Sequence, residues 1–516
     1  MVTPEWDQLV DVVVVGSGGG VAGAYTAARE GLSVALLEGG DKFGGTTAFS
    51  GGGGMWFPCN PVLRRAGSDD TIADALAYFH AVVGDRTPRE LQDTYVRGGA
   101  RLVEYLEEDD SFAFKVLPWP DYFGSVRGAR RDGLRHIVAR ALPACALGEH
   151  ADRVRGPLDN ERLGVAAPEL LTGGRALIGR FLAAMRRYPD VSVHLESPLT
   201  DLIVSDGAVL GVLARRGGNE VRIGARRGVL LAAGGFEQNP EMRAAYGVPG
   251  RVADSMGAPD NTGLAHRAAI RAGAATDLMD QAWWSPGLTH PDGRSTFSLW
   301  FTGGIFIDSH GRRFVNESGP YDRLGRTVLD RIGSGAMELP FWMVYDDTEG
   351  EVPPVRSTSV SMVDTACYRE AGLWHTAATL AGLADAIGVP PKNLLATVAR
   401  FNEFAAACSD ADFGRGDEAY DRAFTGGASP LVPIVEPPYH AAAFGLSDLG
   451  TKGGLCTDVH ARVLDAAGQP IGGLYAAGNT MAAVSGTTYP GGGNPIGASM
   501  LFSHLAALHM AGVEPE

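Results

Sequence analysis

"VDVVVVGSGGGVAGAYTAAREGLSVALLEGG", Val10 to Gly40, decides the fold. Val10 to Val15 is a β-branched run, the pattern of a strand buried on both faces of a parallel sheet. Glycines follow at 16, 18, 19 and 20, then an Ala-rich stretch reads as a helix to about Gly31. A second strand, Ser33 to Leu37, ends on Glu38. Strand, glycine turn, helix, strand and terminal acid make the βαβ unit that binds dinucleotides. Gly16 permits the sharp turn, and Gly18, with Gly19 and Gly20, lets a pyrophosphate approach the backbone at the positive end of the helix. Glu38 is placed to accept hydrogen bonds from both ribose hydroxyls. The third glycine of the strict GxGxxG pattern falls on Val21, which predicts a looser helix–strand contact.

Immediately downstream lies "GGDKFGGTTAFSGGGGMW", Gly39 to Trp56. Gly39, Gly45, Gly51 and Gly52, with Thr46, Thr47 and Ser50, offer many N–H and hydroxyl donors close to the first strand's carboxyl end. A nicotinamide has no evident use for this second stretch. A flavin does, because its ribityl chain and ring edge need donors beyond the pyrophosphate. A plain flexible loop is the alternative.

The whole chain has 516 residues, enough for two domains, with 45% hydrophobic and 20% charged residues, as in folded globular proteins. Its 71 glycines, roughly twice ordinary usage, fall in clusters that suggest repeated close approach of backbone to a large ligand. A formal charge of −16 argues against a nucleic-acid surface. The five cysteines (59, 145, 367, 408 and 456) lack metal-ligand spacing and read as reduced thiols, so no metal is expected. No targeting signal or long apolar run is evident, and the reading is a cytoplasmic protein without a transmembrane segment.

Two helices are expected within 67–110 and one at about 173–187. Strands near 191–195, 199–205, 208–215 and 219–224 suggest a small inserted antiparallel sheet. "RRGVLLAAGGFEQNPEM", Arg226 to Met242, returns to the nucleotide domain with a buried strand and a glycine exit at Ala233 and Gly234. From about 286 the chain turns richer in aromatics and Pro, and "GGIFIDSHGRRFVNE" (303–317) is hairpin-like, with His310 at a solvated tip. "GLYAAGN" ends a further buried strand at Gly478 and Asn479. The expected fold is α/β: a discontinuous Rossmann-like FAD-binding domain, 1–285 and 435–516, with an α+β capping domain, 286–434, inserted.

Together, "VVVVGSGGG", "LLEGGDKFGGTTAFSGGG", "VLLAAGGFEQNPEM" and "GLYAAGNT" resemble the flavoproteins grouped with fumarate reductase and succinate dehydrogenase. Within that group "LMDQAWWSP", "GRRFVNESGPYD", "DLGTKGGL" and "GNTMAAVSGTTYPGGGNPIGASM" look like the 3-ketosteroid Δ1-dehydrogenases. The resemblance runs from about Asp11 to Gly512 and is weakest at 125–170. It implies FAD as cofactor and removal of two hydrogens from adjacent carbons beside a ring ketone.

Such a desaturation needs a hydride acceptor, a base for the proton and donors aimed at the ketone oxygen. The resemblance assigns the donors to the Tyr489 hydroxyl and the Gly493 N–H, with the glycines keeping Cβ atoms clear of the substrate. It assigns the base to Tyr321, and to Tyr122 the hydrogen bond that makes a phenolate accessible. A partner is chemically needed, because a phenol of pKa about 10 is a poor base at neutral pH. A helix starting near Ala498, just after Pro495 and Ile496, would face its amides to the flavin. Asn479 is expected on the ribityl side, with a helix-capping role as the alternative. Trp283 and Trp284 are expected either to wall the pocket or to pack in the core.

Three competing functions follow. A fumarate-reductase-like enzyme needs an arginine where this loop reads "GGNPIG", and "GTKGG" (450–454) replaces the usual His-Thr-Met-Gly-Gly. A smaller ring ketone is suggested by Asn494 and Pro495, which depart from the steroid pattern, and by Arg127, Arg130 and Arg131, which suit either a carboxylated ring or a solvated face. A flavin-bearing sensor without turnover is opposed by the coincidence of three tyrosines with the catalytic pattern. The electron acceptor is expected to be quinone-like or dye-like.

Overall fold

A computed structural model describes residues 5–514. Val12, Val13 and Val14 have no exposed surface, because their strand, Gln8–Val15, lies between two parallel neighbours, Val34–Leu37 and Asn219–Leu231. Burying each such side chain contributes about 1.5–3 kcal/mol. The parallel core runs Pro470–Ala476, Asn219–Leu231, Gln8–Val15, Val34–Leu37, Val191–His194.

Two strand expectations change. Val191–His194 extends the parallel sheet beside Val34–Leu37 instead of joining an antiparallel insert. The strands expected separately at 219–224 and after Arg226 are one element, Asn219–Leu231. Its first half pairs antiparallel with Ala208–Arg216 and its second half pairs parallel with Gln8–Val15. The antiparallel strands are thus an extension of the nucleotide sheet.

The helix Gly20–Arg29 is buried from Gly20 to Ala28, since it is sandwiched between the sheet and the C-terminal helix Asn494–Ala511. The contact expected to be loose at Val21 is tight, because neighbouring glycines carry it. A Cβ on Gly20 would sit 2.8 Å from Val14, and one on Gly23 would sit 2.5 Å from Leu230 and 2.9 Å from the Ser503 carbonyl.

A second, seven-stranded sheet is built around the long strand Tyr439–Thr451, flanked by Phe341–Asp346 and Ala282–Thr289. Residues 282–285 and 439–451 therefore belong with this sheet, although the expected division placed them in the nucleotide domain. Strand alternation splits the tryptophan pair: Trp283 joins the aromatic cluster between the sheets, while Trp284 packs in the second sheet's core. His310 is exposed, as its turn position implied. No helix among the described residues is long and apolar enough to cross a membrane.

Candidate active site

Tyr122, Tyr321 and Tyr489 converge from three distant segments. Their rings pack edge to face, with centroids 5.7 Å apart for Tyr122–Tyr321, 5.2 Å for Tyr122–Tyr489 and 5.6 Å for Tyr321–Tyr489. All three are buried.

Each tyrosine is held by a different local device. Tyr321 opens the helix Tyr321–Gly333, just after Pro320. The preceding turn is fixed by fully buried Glu317, which accepts from Phe306 N (3.0 Å), Arg313 Nε (2.9 Å) and an Arg415 guanidinium nitrogen (3.1 Å). Tyr122 follows Asp121, whose carboxylate accepts from Trp56 Nε1 (2.8 Å), Arg130 N (2.9 Å) and buried Arg135 (2.7 Å). The Tyr122 N–H then donates to the Pro490 carbonyl (3.0 Å), which also accepts from the Tyr78 hydroxyl. Tyr122 is thereby stitched to the loop carrying Tyr489.

In that loop the Gly493 N–H donates to the Tyr489 phenol oxygen at 3.3 Å, so the two donors lie side by side. The C-terminal helix begins at Asn494, a turn before the expected Ala498, with Gly493 as its cap at φ +82°. That positive φ favours glycine. The glycine run is not explained by substrate approach alone. A Cβ on Gly493 would meet the Gly54 carbonyl at 2.0 Å, and one on Gly491 would meet Trp56 at 2.5 Å. Close packing against the Gly54–Trp56 strand requires them.

Burial and the neighbouring phenols push Tyr122 and Tyr321 well above the usual tyrosine range. Tyr489 is pushed up to about 12 by burial, offset by hydrogen bonding from Tyr321 and the Gly493 amide. Each is a neutral phenol at physiological pH. The Tyr122 hydroxyl has no hydrogen-bond partner.

Trp283, Gly478, Asn479, Asn494, Pro495 and Ala498 line a cleft beside this cluster, and Ile496 lies in the same first helical turn. Asn479 caps no helix: it sits in a short turn, Gly478–Thr480, and its Oδ1 accepts from Trp283 Nε1 at 3.2 Å. Asn494 is buried with both amide atoms unpartnered. Further along, Gly16 (φ +100°) is forced by the Ala232 carbonyl, 2.2 Å from its would-be Cβ, and Gly19 packs on Ser499. Gly18 is different, with nothing nearer than Thr47 Oγ1 at 3.5 Å, and Gly45, Gly51 and Gly52 have nothing within 4 Å. Glu38 closes the cradle, accepting from Ser17 N (3.1 Å), Gly40 N (3.0 Å) and the Ser17 hydroxyl. Thr46 and Ser50 work as internal ties: Thr46 Oγ1 accepts from Ala258 N (2.9 Å), and Ser50 Oγ accepts from Gly53 N (3.0 Å). Gly39 lies against Pro198, while Gly234, next to Ala233, accepts from Thr480 Oγ1 at 2.9 Å. Open glycine backbone at one end and an orphaned buried amide at the other fit a dinucleotide carrying a polar ring system.

Several site residues escaped the sequence reading. Phe297 packs on Tyr321 (4.8 Å) and Tyr420 on Tyr122 (5.1 Å). Lys452 is fully buried, and that burial drives its pKa well below the ordinary value. Only the "GTKGG" motif had pointed towards it. The arginines of 125–131 do not reach the site: Arg127 and Arg131 are exposed, and Arg130 pairs with Asp69 and Asp132. Among the described residues no group of three or more His, Cys, Asp or Glu could hold a metal.

Comparison with known proteins bears on this arrangement. The FAD binding domain family matches residues 11–496. The chain is 37% identical to a 3-oxosteroid 1-dehydrogenase of Mycobacterium tuberculosis, over 98% of both chains. It is 36% identical to a 4-oxocyclohexanecarboxylate 2-dehydrogenase of Sinomonas cyclohexanicum, over 97% of this chain and 93% of the relative. Its structure superposes with a TM-score of 0.88 on 3-ketosteroid Δ1-dehydrogenase from Sterolibacterium denitrificans, solved with 1,4-androstadiene-3,17-dione, at 31% identity over 98% of this chain and 100% of that one. With its glycine cradle and its three converging tyrosines, the chain belongs to the FAD binding domain family and, within it, to the 3-ketosteroid Δ1-dehydrogenases: it is an FAD-dependent oxidoreductase.

Proposed function

We propose that the protein introduces a double bond beside a ring ketone, with a 3-ketosteroid as substrate. The observation that carries this reading is the Gly493 N–H lying 3.3 Å from the Tyr489 oxygen, with the Tyr321 ring against Tyr489. One ketone oxygen placed between the first two groups receives two donors, and the adjacent C–H then faces Tyr321. Bound FAD supplies the acceptor for the second hydrogen, as hydride.

Tyr489 and Gly493 polarise the ketone as its oxygen gains negative charge. Tyr321 takes the acidified proton. To act as the base it must first release its own O–H proton to solvent, and Tyr122, whose hydroxyl is free, then donates a hydrogen bond to the Tyr321 oxygen that makes this phenolate accessible against the burial that opposes it. The nucleotide sheet, with the C-terminal helix, is the FAD-binding body, and the second sheet is the cap. The reoxidant is a quinone-like or dye-like acceptor, and the enzyme works in the cytoplasm.

A second reading, a monocyclic ring ketone, is favoured by one feature. Trp119, Trp300 and Phe424 close a triangle at one wall of the cluster, with centroids 5.5, 5.5 and 4.5 Å apart. A four-ring substrate extending towards this wall would meet the triangle, which a single ring would not reach.

Dye-coupled turnover of a 4-ene-3-ketosteroid, cyclohexanone and 4-oxocyclohexanecarboxylate, measured side by side, separates the readings. Steroid turnover well above both monocycles is expected. Turnover of a monocycle alone would select the second reading, and no ketone-dependent dye reduction at all would sink both. Tyr321→Phe is expected to bind substrate normally while flavin reduction falls roughly 10²–10⁴-fold. Rapid reduction in that variant would assign the proton to another group.

A further inference from the structure

Lys452 has no role in the chemistry described above, yet no surface of it is exposed. A lysine is almost never fully buried without a partner that compensates its lost hydration. Here the compensation comes from a carbonyl and a ring face. Nζ donates to the Thr488 carbonyl at 2.6 Å and stands 4.0 Å from the centre of the Trp283 ring. Both contacts lead to Tyr489. Thr488 is its chain neighbour, and Trp283 packs edge to face on its ring at 5.0 Å. The backbone of Lys452 joins the same structure, its carbonyl accepting from Ala483 N (3.1 Å) and its N–H donating to the Gln281 carbonyl (2.9 Å). Within the turn, Ser485 Oγ donates to the same Thr488 carbonyl (3.0 Å).

Resting on the reading of Tyr489 as a ketone donor, we propose that Lys452 is a positioning residue. By clasping the Thr488 carbonyl and bracing Trp283, it fixes the Tyr489 hydroxyl beside the Gly493 N–H. The physical need is plain. Tyr489 projects from a turn, Ser485–Pro490, that belongs to neither sheet nor helix, while its partner donor is anchored at a helix cap. Two donors can share one oxygen only if their separation is held to a fraction of an ångström, and a displacement of about 1 Å can cost on the order of 10²-fold in rate. The Lys452 stem reaches the turn from the strand end at Thr451 and ties the Tyr489 side of the pair to the second sheet.

Two experiments on the FAD-loaded protein test this, one without substrate. Amide hydrogen exchange across 485–493 is expected to rise at least tenfold in Lys452→Met, and to stay near wild type in Lys452→Gln, which can still donate to the Thr488 carbonyl. Unchanged exchange in Lys452→Met overturns the clamp whatever the substrate proves to be. The second experiment is a double-mutant cycle on the best ketone substrate. Lys452→Met is expected to lower kcat at least tenfold with KM within about threefold, yet to lower it less than about twofold in a Tyr489→Phe background. Additive losses, or equal losses in the Met and Gln variants, would overturn the assignment. If Lys452→Met does not fold, Lys452→Leu, which fills the same space without a donor, replaces it in both experiments, with the same losses expected and the same results overturning the clamp. The exchange result does not depend on turnover, so failure of the clamp and failure of the ring-ketone reading are separable.

Discussion

The two glycine runs, Gly18–Gly20 and Gly491–Gly493, look alike in the sequence and do opposite work in the fold. Both precede an apolar helix. In the first run the flanking glycines are packed, but Gly18 keeps its surroundings open to 3.5 Å, leaving backbone amides free for an anion. In the second run no such opening remains: added Cβ atoms would meet Trp56 at 2.5 Å, the Tyr122 hydroxyl at 3.3 Å and the Gly54 carbonyl at 2.0 Å. The first run leaves backbone uncovered at Gly18, as a bound anion would need. The second lets the loop that carries Tyr489 pack against the Gly54–Trp56 strand and the Tyr122 segment. Glycine density therefore signals close approach, and only the neighbours say whether the approaching group is a ligand or the protein itself.

The sharpest way to break this contrast is Gly493→Ala. A methyl group 2.0 Å from a backbone carbonyl, at φ +82°, has no flexible neighbour to give way. The expected cost is several kcal/mol of stability, with activity lost; thermal unfolding and turnover would read both. Retention of a wild-type Tm in that variant would mean the loop can open without harm. Gly18→Ala should behave oppositely. The fold is expected to keep its Tm within a few degrees in the apo form, while FAD affinity falls about tenfold, read by fluorescence titration of the apoprotein. A large apo Tm loss there would erase the distinction between the runs.

A further effect, read as a slope against pH, sharpens the cradle side. Glu237 is fully buried between Gly235, Gly257 and Gly450, accepts from Asn261 Nδ2 at 2.6 Å, and is pushed up to about 7 by burial. Its folded pKa lies above the unfolded value of 4.5, so the folded state holds the proton more tightly. Stability from this group is complete below about 4.5 and is lost as pH rises towards 7, on the order of 3 kcal/mol at most. Glu237→Gln is expected to remove that decline, seen as a flatter plot of unfolding free energy against pH from about 4.5 to 7. A parallel slope in wild type and variant would mean the carboxylate is paired or hydrated in the fold.

Much of the molecule was legible in the sequence, and the reasons are local. Val12–Val15, the glycines and Glu38 are contiguous, and their chemistry follows from the backbone they impose, so strand, turn and helix could be placed from spacing alone. The antiparallel strands at 199–216 were found, but their attachment was not, because a strand that pairs one way in its first half and another in its second carries no mark of the switch. The start of the last helix was misjudged by a turn because Asn494 and Pro495 read as loop residues, whereas Pro suits the first helical turn.

The tyrosines mark the other limit. A motif could name Tyr122, Tyr321 and Tyr489, but it carried no sign of what holds them: Asp121 with Arg135, Glu317 with Arg313 and Arg415, and Lys452 beneath Trp283. Charged residues in a sequence read as surface, since burial is costly unless a partner repays it, and apart from Arg313 those partners lie ten or more positions away. What the sequence determined by itself is the βαβ unit and the family, because both are written in contiguous residues. What only the tertiary structure decided is the meeting of the three tyrosines and the packing of the last glycine run, because both depend on which distant segments share a few ångströms of space.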